Sequence, residues 1–248
     1  MAAPPPGILS AYRDTPFPPP DTPWREAAFS VIDLELTGLD PSVDEICSFA
    51  AVTVAEGRIR LDDARLGIVR PDRMPDADTI RIHGLRESDL AEAPPLDDAI
   101  GTLLEALTGR VLVAHVASVE TAFLSAALRR RGIRLRNPVV DTANLAVELH
   151  RLRRVPAPRG DGDPPAKLGV SSPGLSSLAQ SLGLPAHRPH HADGDALTTA
   201  QVFLALATHL DRLEPMTVGK LQRVSRGPRE RVTLGSLLSR FGLGRSPA

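Results

Sequence analysis

Apolar positions along the chain follow two different periods, and the change between them predicts the order of strands and helices. Apolar runs rich in β-branched residues predict strands at residues 29–36 and 46–54 and a third strand within residues 58–69, joined as an antiparallel meander. Two shorter apolar runs, at residues 111–114 and 138–140, have the length and composition of buried strands. The sequence therefore predicts five strands.

Helical periodicity dominates much of the remaining chain, where apolar residues recur on one face of each predicted helix. It predicts helices at about residues 96–107, 119–131, 142–153, 175–182 and 193–210. Meandering strands followed by strands that alternate with helices are typical of an α/β fold. We therefore expect a mixed five-stranded sheet with helices on both faces.

Three segments carry no such pattern. Residues 1–28 are rich in proline and alanine, which predicts an N-terminal arm without a helix or an interior strand. The chain after Pro71 is expected to be irregular as far as residue 96, and residues 155–174, with five prolines and four glycines, are expected to form a long loop. The predicted organisation is an arm at 1–28, a folded domain at 29–213 and a basic tail at 214–248.

Composition narrows the class of protein. Hydrophobic residues make up 42% of the chain and charged residues 24%, as in soluble globular domains, and no apolar stretch is long enough to cross a membrane. Because no leader segment opens the chain, we expect a cytoplasmic protein without a membrane partner. The single cysteine, Cys47, excludes a disulfide framework and a cysteine-based zinc site, and its apolar surroundings favour a core position. Aromatic residues, at 3%, are too scarce for a nucleic-acid surface built from rows of stacked rings.

Charge is distributed unevenly, although the net charge is only −1. Residues 215–248 contain seven basic residues and one acidic residue, so this tail is positive and the rest of the chain is negative. A basic tail is compatible with binding of phosphate groups. A solvated tail that aids solubility is an equally good interpretation.

Asp33 and Glu35 are the first candidates for chemistry, because they interrupt the apolar run of the first predicted strand. The two-residue period of a strand places both side chains on the same face. Two buried carboxylates would repel each other, and no basic residue lies close by in the sequence. A divalent cation would compensate these charges, and oxygen ligands favour hard ions such as Mg²⁺ or Mn²⁺. The alternative is a structural role, in which one carboxylate caps a turn or pairs with a distant arginine.

A second candidate group follows the fourth predicted strand, where His115 ends the strand and Glu120 opens the next helix. Ligands of α/β proteins bind at such strand ends and helix starts. Taken singly, Glu120 is better explained as a first-turn acid that the helix dipole favours, and His115 as a hydrogen-bonded strand-end histidine.

A third candidate pair lies at the start of the last predicted helix. His190 precedes Asp195 by five positions and lies in the loop before the helix. An imidazole can accept a proton from water near neutral pH, so His190 is the candidate general base, with His187 and His191 as competitors.

These segments together resemble the motifs of the DEDDh exonuclease superfamily, which includes the proofreading subunit of bacterial replicative polymerase, RNase T and oligoribonuclease. The Asp-x-Glu strand followed by Thr-Gly is matched by DLELTGLDP, the second motif in position by HVASVETAFL, and the His-x4-Asp motif by HHADGDALTTA. The resemblance also includes the segments IRIHGL, LVAH and DTANLA, and it covers about residues 29–210. It implies a ribonuclease H-like fold.

The resemblance also implies an activity and a ligand set. The chain is expected to remove nucleoside 5′-monophosphates from the 3′ end of single-stranded DNA or RNA, with two Mg²⁺ or Mn²⁺ ions about 3.5 to 4 Å apart. A polymerase or another replication or repair protein is the candidate protein partner. The expected roles are Asp33 as the bridge between the ions, Glu35 and Asp195 as ligands of the first ion, Glu120 as support for the second, and His190 as the general base.

Three positions depart from the family pattern. Glu120 stands where the family has aspartate, Val116 replaces an asparagine beside His115, and Leu36 replaces a common threonine. Because Glu120 keeps the charge and the oxygen ligands, we expect activity to survive. The alternatives are a catalytically weakened module that binds nucleic acid or assists a polymerase, and a ribonuclease H-like endonuclease or transposase relative, which gives no reason for His190. The sequence does not separate DNA from RNA.

Overall fold

The computed structural model describes residues 5–152 and 174–226, and these residues contain a five-stranded mixed sheet. The strands are β1 (Phe29–Leu36), β2 (Ile46–Ala55), β3 (Arg58–Ile68), β4 (Val111–Ala114) and β5 (Val139–Asp141). Their order across the sheet is β3-β2-β1-β4-β5, so β3 and β5 are the edges. β1, β2 and β3 pair antiparallel, whereas β4 runs parallel to both β1 and β5. The predicted meander and the predicted mixed sheet are confirmed.

Nine α-helices accompany the sheet within the described residues. They are α1 (Pro6–Asp14), α2 (Ala77–His83), α3 (Glu87–Ala91), α4 (Leu96–Leu107), α5 (Ser118–Arg129), α6 (Thr142–Arg151), α7 (Leu175–Ser181), α8 (Ala192–Asp211) and α9 (Val218–Ser225). The five helices predicted from periodicity are confirmed as α4 to α8, with ends shifted by at most two residues.

The sheet is packed on both faces. On the α8 face, residues of α6, α7, α8 and α9 form one apolar cluster with Trp24, and the Phe203 ring lies 4.8 Å from the Phe29 ring. On the α5 face, residues of α1, α4 and α5 form a second cluster. β1 contributes Phe29 and Val31 to the first cluster and Ile32 and Leu34 to the second. The predicted helices on both faces are confirmed, and Cys47 is a buried free thiol, as expected.

The expectation that residues 1–28 contain no helix is wrong. α1 begins at Pro6, where proline is favourable because the first turn of a helix needs no backbone donor. Tyr12 of α1 is fully buried, and its hydroxyl donates to Asn137 Oδ1 at 2.9 Å and accepts from the Arg136 backbone N–H at 3.0 Å. Trp24 is also buried. Helix α1 and the segment around Trp24 therefore pack against the rest of the domain.

The expectation of an irregular chain after Pro71 is also wrong, because α2 and α3 lie there. The Asp76 side chain caps α2 by accepting from the Thr79 N–H at 2.8 Å, and Gly84 ends the helix with a positive φ of 74°. Both helices are short, so neither shows an extended apolar period.

The start of the predicted tail is a helix rather than a solvated segment. Thr217 caps α9, and Val218 and Leu221 are buried in the cluster on the α8 face. Residues 227–248 and nearly all of the predicted loop 155–174 lie outside the described residues, and the division at 28 and 214 stays a prediction. No helix in the described ranges is long and apolar enough to span a membrane.

Candidate active site

β1 positions the first two carboxylates. Because Phe29 and Val31 point to the α8 face, the two-residue period carries Asp33 and Glu35 to that face as well. Their neighbours across the β1–β2 ladder are Ala50 and Ser48, whose small side chains leave the two acids uncrowded. The shared face predicted for the pair is therefore present.

α8 brings the third carboxylate to the same place. Asp195 lies in its first turn, and Asp33, Glu35 and Asp195 each offer a carboxylate oxygen within 4.8 Å of the other two. Gly194 lets the preceding loop pack closely against the start of α8, because a Cβ at that position would lie 2.2 Å from the His187 carbonyl oxygen. We call these three residues the carboxylate cluster.

The carboxylate cluster has no cation to neutralise it, since no salt bridge within the described part of the chain involves any of its members. Burial raises the pKa of Asp33 well above its usual range, and the charges of Glu35 and Asp195 add to this effect. Burial and Asp195 also raise the pKa of Glu35 to about 8. Burial also raises the pKa of Asp195, although the hydrogen bond from the His190 backbone N–H opposes this rise.

The donor set fits a hard divalent cation. All the available atoms are carboxylate oxygens, which Mg²⁺ and Mn²⁺ prefer over softer metals. A bound cation would also relieve the repulsion that raises these pKa values.

Glu120 lies beside the carboxylate cluster but does not belong to the group within 4.8 Å. It occupies the first turn of α5, is 7% exposed, and its Oε2 has no hydrogen-bond partner. Burial raises the pKa of Glu120 well above its usual range, and the charges of Asp141 and Glu35 contribute. A first-turn acid that served only the helix dipole would be solvated, so a buried, unpartnered carboxylate oxygen needs a further explanation.

The loop before α8 holds His190 next to Asp195. The His190 backbone N–H donates to Asp195 Oδ2 at 2.9 Å, while its side chain is exposed. Its φ of 61° and the φ of 34° at Arg188 are unusual for residues with side chains. By contrast, His187 and His191 each have a buried ring nitrogen without a partner, so His190 is the solvent-facing histidine of the three.

The turn between β4 and α5 has a structural role that includes His115. His115 Nδ1 lies 3.0 Å from the Thr142 hydroxyl, in agreement with the interpretation of a hydrogen-bonded strand-end histidine. Val116 has a φ of 65°, which is strained for a β-branched residue and easier for asparagine.

Asp141 is a residue of this region that the sequence analysis missed. It caps α6 and also accepts from the backbone N–H groups of Val116 at 3.2 Å and Ala117 at 3.1 Å, and thereby holds the turn that leads to Glu120. Burial raises its pKa, and these N–H groups oppose the rise. An aspartate directly after a strand and before Thr-Ala-Asn is a recognisable helix-cap signal, so the sequence did contain a hint.

Solved structures of exonucleases share this fold. Exonuclease X in complex with 5′ overhanging duplex DNA covers 79% of this chain, with 99% of its own chain matched, a TM-score of 0.56 and 22% identity. Escherichia coli exonuclease I in complex with a dT13 oligonucleotide covers 75% of this chain, with 42% of its own chain matched, a TM-score of 0.63 and 18% identity. The ribonuclease H-like exonuclease fold is therefore confirmed.

Sequence comparison gives relatives among replication proteins. The DNA polymerase III PolC-type protein of Thermotoga petrophila is 30% identical over 194 residues, which are 78% of this chain and 13% of that protein. A DNA polymerase III subunit epsilon-like protein of Rhodobacter capsulatus is 32% identical over 189 residues, or 75% of this chain and 24% of that protein. The chain thus spans between about an eighth and a quarter of these relatives' length.

The family model described as exonuclease, RNase T, matches residues 30–203, which contain all three motif segments. The chain therefore belongs to this exonuclease family, within the DEDDh superfamily that its motifs resemble.

Proposed function

We propose that the chain is a metal-dependent 3′-5′ exonuclease that shortens single-stranded DNA from its 3′ end and releases nucleoside 5′-monophosphates. The observation that carries the proposal is the carboxylate cluster, three half-buried acids without a cationic partner among residues 5–152 and 174–226, in a chain of the exonuclease family. DNA is chosen because the relatives are named as DNA polymerase III proteins and the matched exonucleases are complexed with DNA.

Asp33, Glu35 and Asp195 would hold the metal, and the unpartnered oxygen of Glu120 would support it from the edge of the site. Two Mg²⁺ or Mn²⁺ ions, when bound, would neutralise the phosphate and lower the pKa of a water molecule. Metal binding by this cluster is proposed on the donor chemistry and on the electrostatic strain of the metal-free site.

His190 would act as the general base. Its ring is exposed, and its backbone is tied to Asp195, so the ring can reach a water molecule beside the carboxylates. The ring nitrogen would accept the proton of the attacking water and pass it to solvent.

A time course with 5′-labelled single-stranded DNA tests polarity and metal need together. We expect a ladder of products shortened from the 3′ end with Mg²⁺ or Mn²⁺, no products with chelator, and no cleavage of a circular strand. A parallel RNA strand measures the sugar preference. Cleavage of the circle, or shortening from the 5′ end, would overturn the proposal.

A second candidate function is a nucleic-acid-binding module that assists a DNA polymerase and has little catalysis of its own. Glu120 favours it, because the residue lies outside the group of close oxygens and is longer than the family's aspartate. Turnover measured beside metal and DNA binding separates the two functions, since a binding module would bind both without releasing nucleotides.

A further inference from the structure

The segment between β3 and α4 leaves the domain and returns to the point where it started. Arg70 and Pro95 form a parallel bridge, so the two ends of the segment meet. We call residues 71–94, which include α2 and α3, the α2–α3 excursion. Glu45 holds its beginning, because Glu45 Oε2 accepts from the Asp72 backbone N–H at 2.6 Å.

Away from this base, the α2–α3 excursion has few ties to the rest of the domain. Among the described residues, no hydrogen bond or salt bridge joins residues 76–90 to a residue outside the excursion. Within this range only the side chains of His83 and Leu90 are buried. Because a segment with so few buried contacts opens at a low free energy, these two side chains decide how firmly the excursion is held.

His83, at the end of α2, lies beside the first residues of α8. Its ring is 3% exposed, and a Cβ built on the next residue, Gly84, would lie 3.9 Å from His191 Cε1. Burial lowers the pKa of His83, and the charge of His191 adds to this effect, so the two rings are close enough to interact. His191 is the N-cap of α8, and its carbonyl accepts from the Asp195 N–H at 2.9 Å.

The turn that ends α2 fixes the orientation of the His83 ring. The Leu85 backbone N–H donates to His83 Nδ1 at 3.0 Å, so the proton of the neutral ring lies on Nε2. This Nε2 is buried and has no hydrogen-bond partner among the described residues, and the same holds for Nδ1 of His191. An apolar side chain would fill the position at a lower cost, because a buried unpaired polar group is destabilising. Packing alone therefore does not explain the imidazole.

We propose that His83 is a positioning residue, which fixes the α2–α3 excursion to His191 and thereby holds the loop that carries His190. The inference rests on the proposed function, in which His190 is the general base. His190 has a φ of 61°, a backbone conformation that persists only where the surroundings hold it. Asp195 holds one side of this loop by accepting from the His190 N–H, and the excursion supports the other side at the His191 ring.

Double-mutant kinetics test this role, because a residue that acts through His190 loses its effect when His190 is absent. His83→Ala should lower kcat on single-stranded DNA about tenfold in the wild-type background, with KM nearly unchanged. In the His190→Ala background the same substitution should change kcat by less than about twofold. Leu90→Ala is the matched control, because it removes the other buried side chain of residues 76–90. It should lower the melting temperature and leave kcat within about twofold of the wild type.

Amide hydrogen exchange gives a readout that does not depend on activity. In His83→Ala, exchange should become about tenfold faster both in residues 76–90 and in the loop at residues 187–191, whereas in Leu90→Ala it should change only in residues 76–90. Gly84→Ala strains the same turn, because glycine adopts its φ of 74° more easily than alanine. This variant should give the pattern of His83→Ala with a smaller amplitude.

The outcomes separate this inference from the proposed function. An unchanged kcat in His83→Ala, or an equal loss in the wild-type and His190→Ala backgrounds, overturns the positioning role. Faster exchange confined to residues 76–90 also overturns it, because the loop would then be held without the excursion. If the wild type hydrolyses no DNA, the proposed function fails, and the exchange pattern still decides whether His83 fixes the excursion to the loop.

Discussion

The carboxylate cluster and the β4–α5 turn face the same site, yet they are built differently. In the cluster, β1 and α8 bring together three acids whose charges have no cationic partner in the described part of the chain. In the turn, Asp141 holds two backbone N–H groups and His115 contacts a hydroxyl, so nearly every polar group is satisfied within the protein. Glu120, with its unpartnered oxygen, is the exception in this region.

The two regions also differ in how closely they follow the family pattern. The cluster keeps the family's residue types, while the turn carries both Glu120 and the strained Val116. Because the turn acts by placing α5, its changes should shift rates and stability moderately, whereas changes in the cluster should remove the chemistry.

Asp33→Asn should produce the largest effect, a loss of hydrolysis of at least about 10⁴-fold, because it removes the central charge of the cluster. The same variant should be more resistant to thermal unfolding without metal, since it relieves repulsion among the three closely spaced acids. Gel-based assays and melting curves measure the two changes. Wild-type rates in the presence of Mg²⁺ would contradict the role given to the cluster.

His190→Ala should lower kcat by about 10² to 10⁴-fold, the range for loss of a general base, without lowering the melting temperature. His187→Ala is the matched control in the same loop and should have a smaller effect on kcat, because its Nε2 is buried away from solvent. A larger loss in the control than in His190→Ala would transfer the role of base to another histidine.

Glu120→Gln should lower kcat/KM by about 10 to 100-fold, less than Asp33→Asn, because Glu120 lies outside the group of close oxygens. Steady-state kinetics on one oligonucleotide with both variants measures the contrast. Equal losses in the two variants would mean that the turn and the cluster form one catalytic unit, which would contradict the separate roles given to them.

The stability of the metal-free protein should fall as pH rises from about 4.5 to about 8. Burial and the charge of Asp195 raise the pKa of Glu35 from its ordinary value of 4.5 to about 8, so in this window the folded state keeps a proton that the unfolded state has lost. The upward shifts of Asp33 and Asp195 act in the same direction. Melting temperatures measured with chelator across this window test the slope, and saturating Mg²⁺ should flatten it. A melting temperature that rises with pH would contradict the assigned shifts.

Val116→Asn should have the smallest effect, a stabilisation of about 1 kcal/mol, because asparagine adopts a φ near 65° at lower cost than valine. Denaturant titration measures the change, with Val119→Asn as a control at a buried position of normal φ, which should destabilise. If Val116→Asn destabilises the protein, strain at the turn is not the relevant property.

Local patterns predicted the central elements well. The ends of β1 and β4 agree with the sequence prediction because β4 is a continuous apolar run and β1 is an apolar-rich run that ends just before Thr37-Gly38. The shared face of Asp33 and Glu35 also followed from the period of a strand.

The remaining features depend on contacts between distant segments. α1 was missed because its prolines were interpreted as helix-breaking, whereas Pro6 occupies the first turn and Tyr12 is bound by residues more than a hundred positions away. The separation of Glu120 from the cluster depends on how α5 packs against β1, which no local pattern specifies. The sequence around Asp141 indicates only a helix cap. Its second role appears only in the folded structure, where the backbone N–H groups of Val116 and Ala117 donate to its carboxylate.

A calorimetric titration of Mn²⁺ into the wild-type protein and into Asp33→Asn measures whether the carboxylate cluster binds a divalent cation. We expect saturable binding to the wild type, with loss of that binding in the variant, because the cluster has no other counterion among the residues that the structure describes. Equal binding by the two proteins, or no binding by the folded wild type, would contradict it.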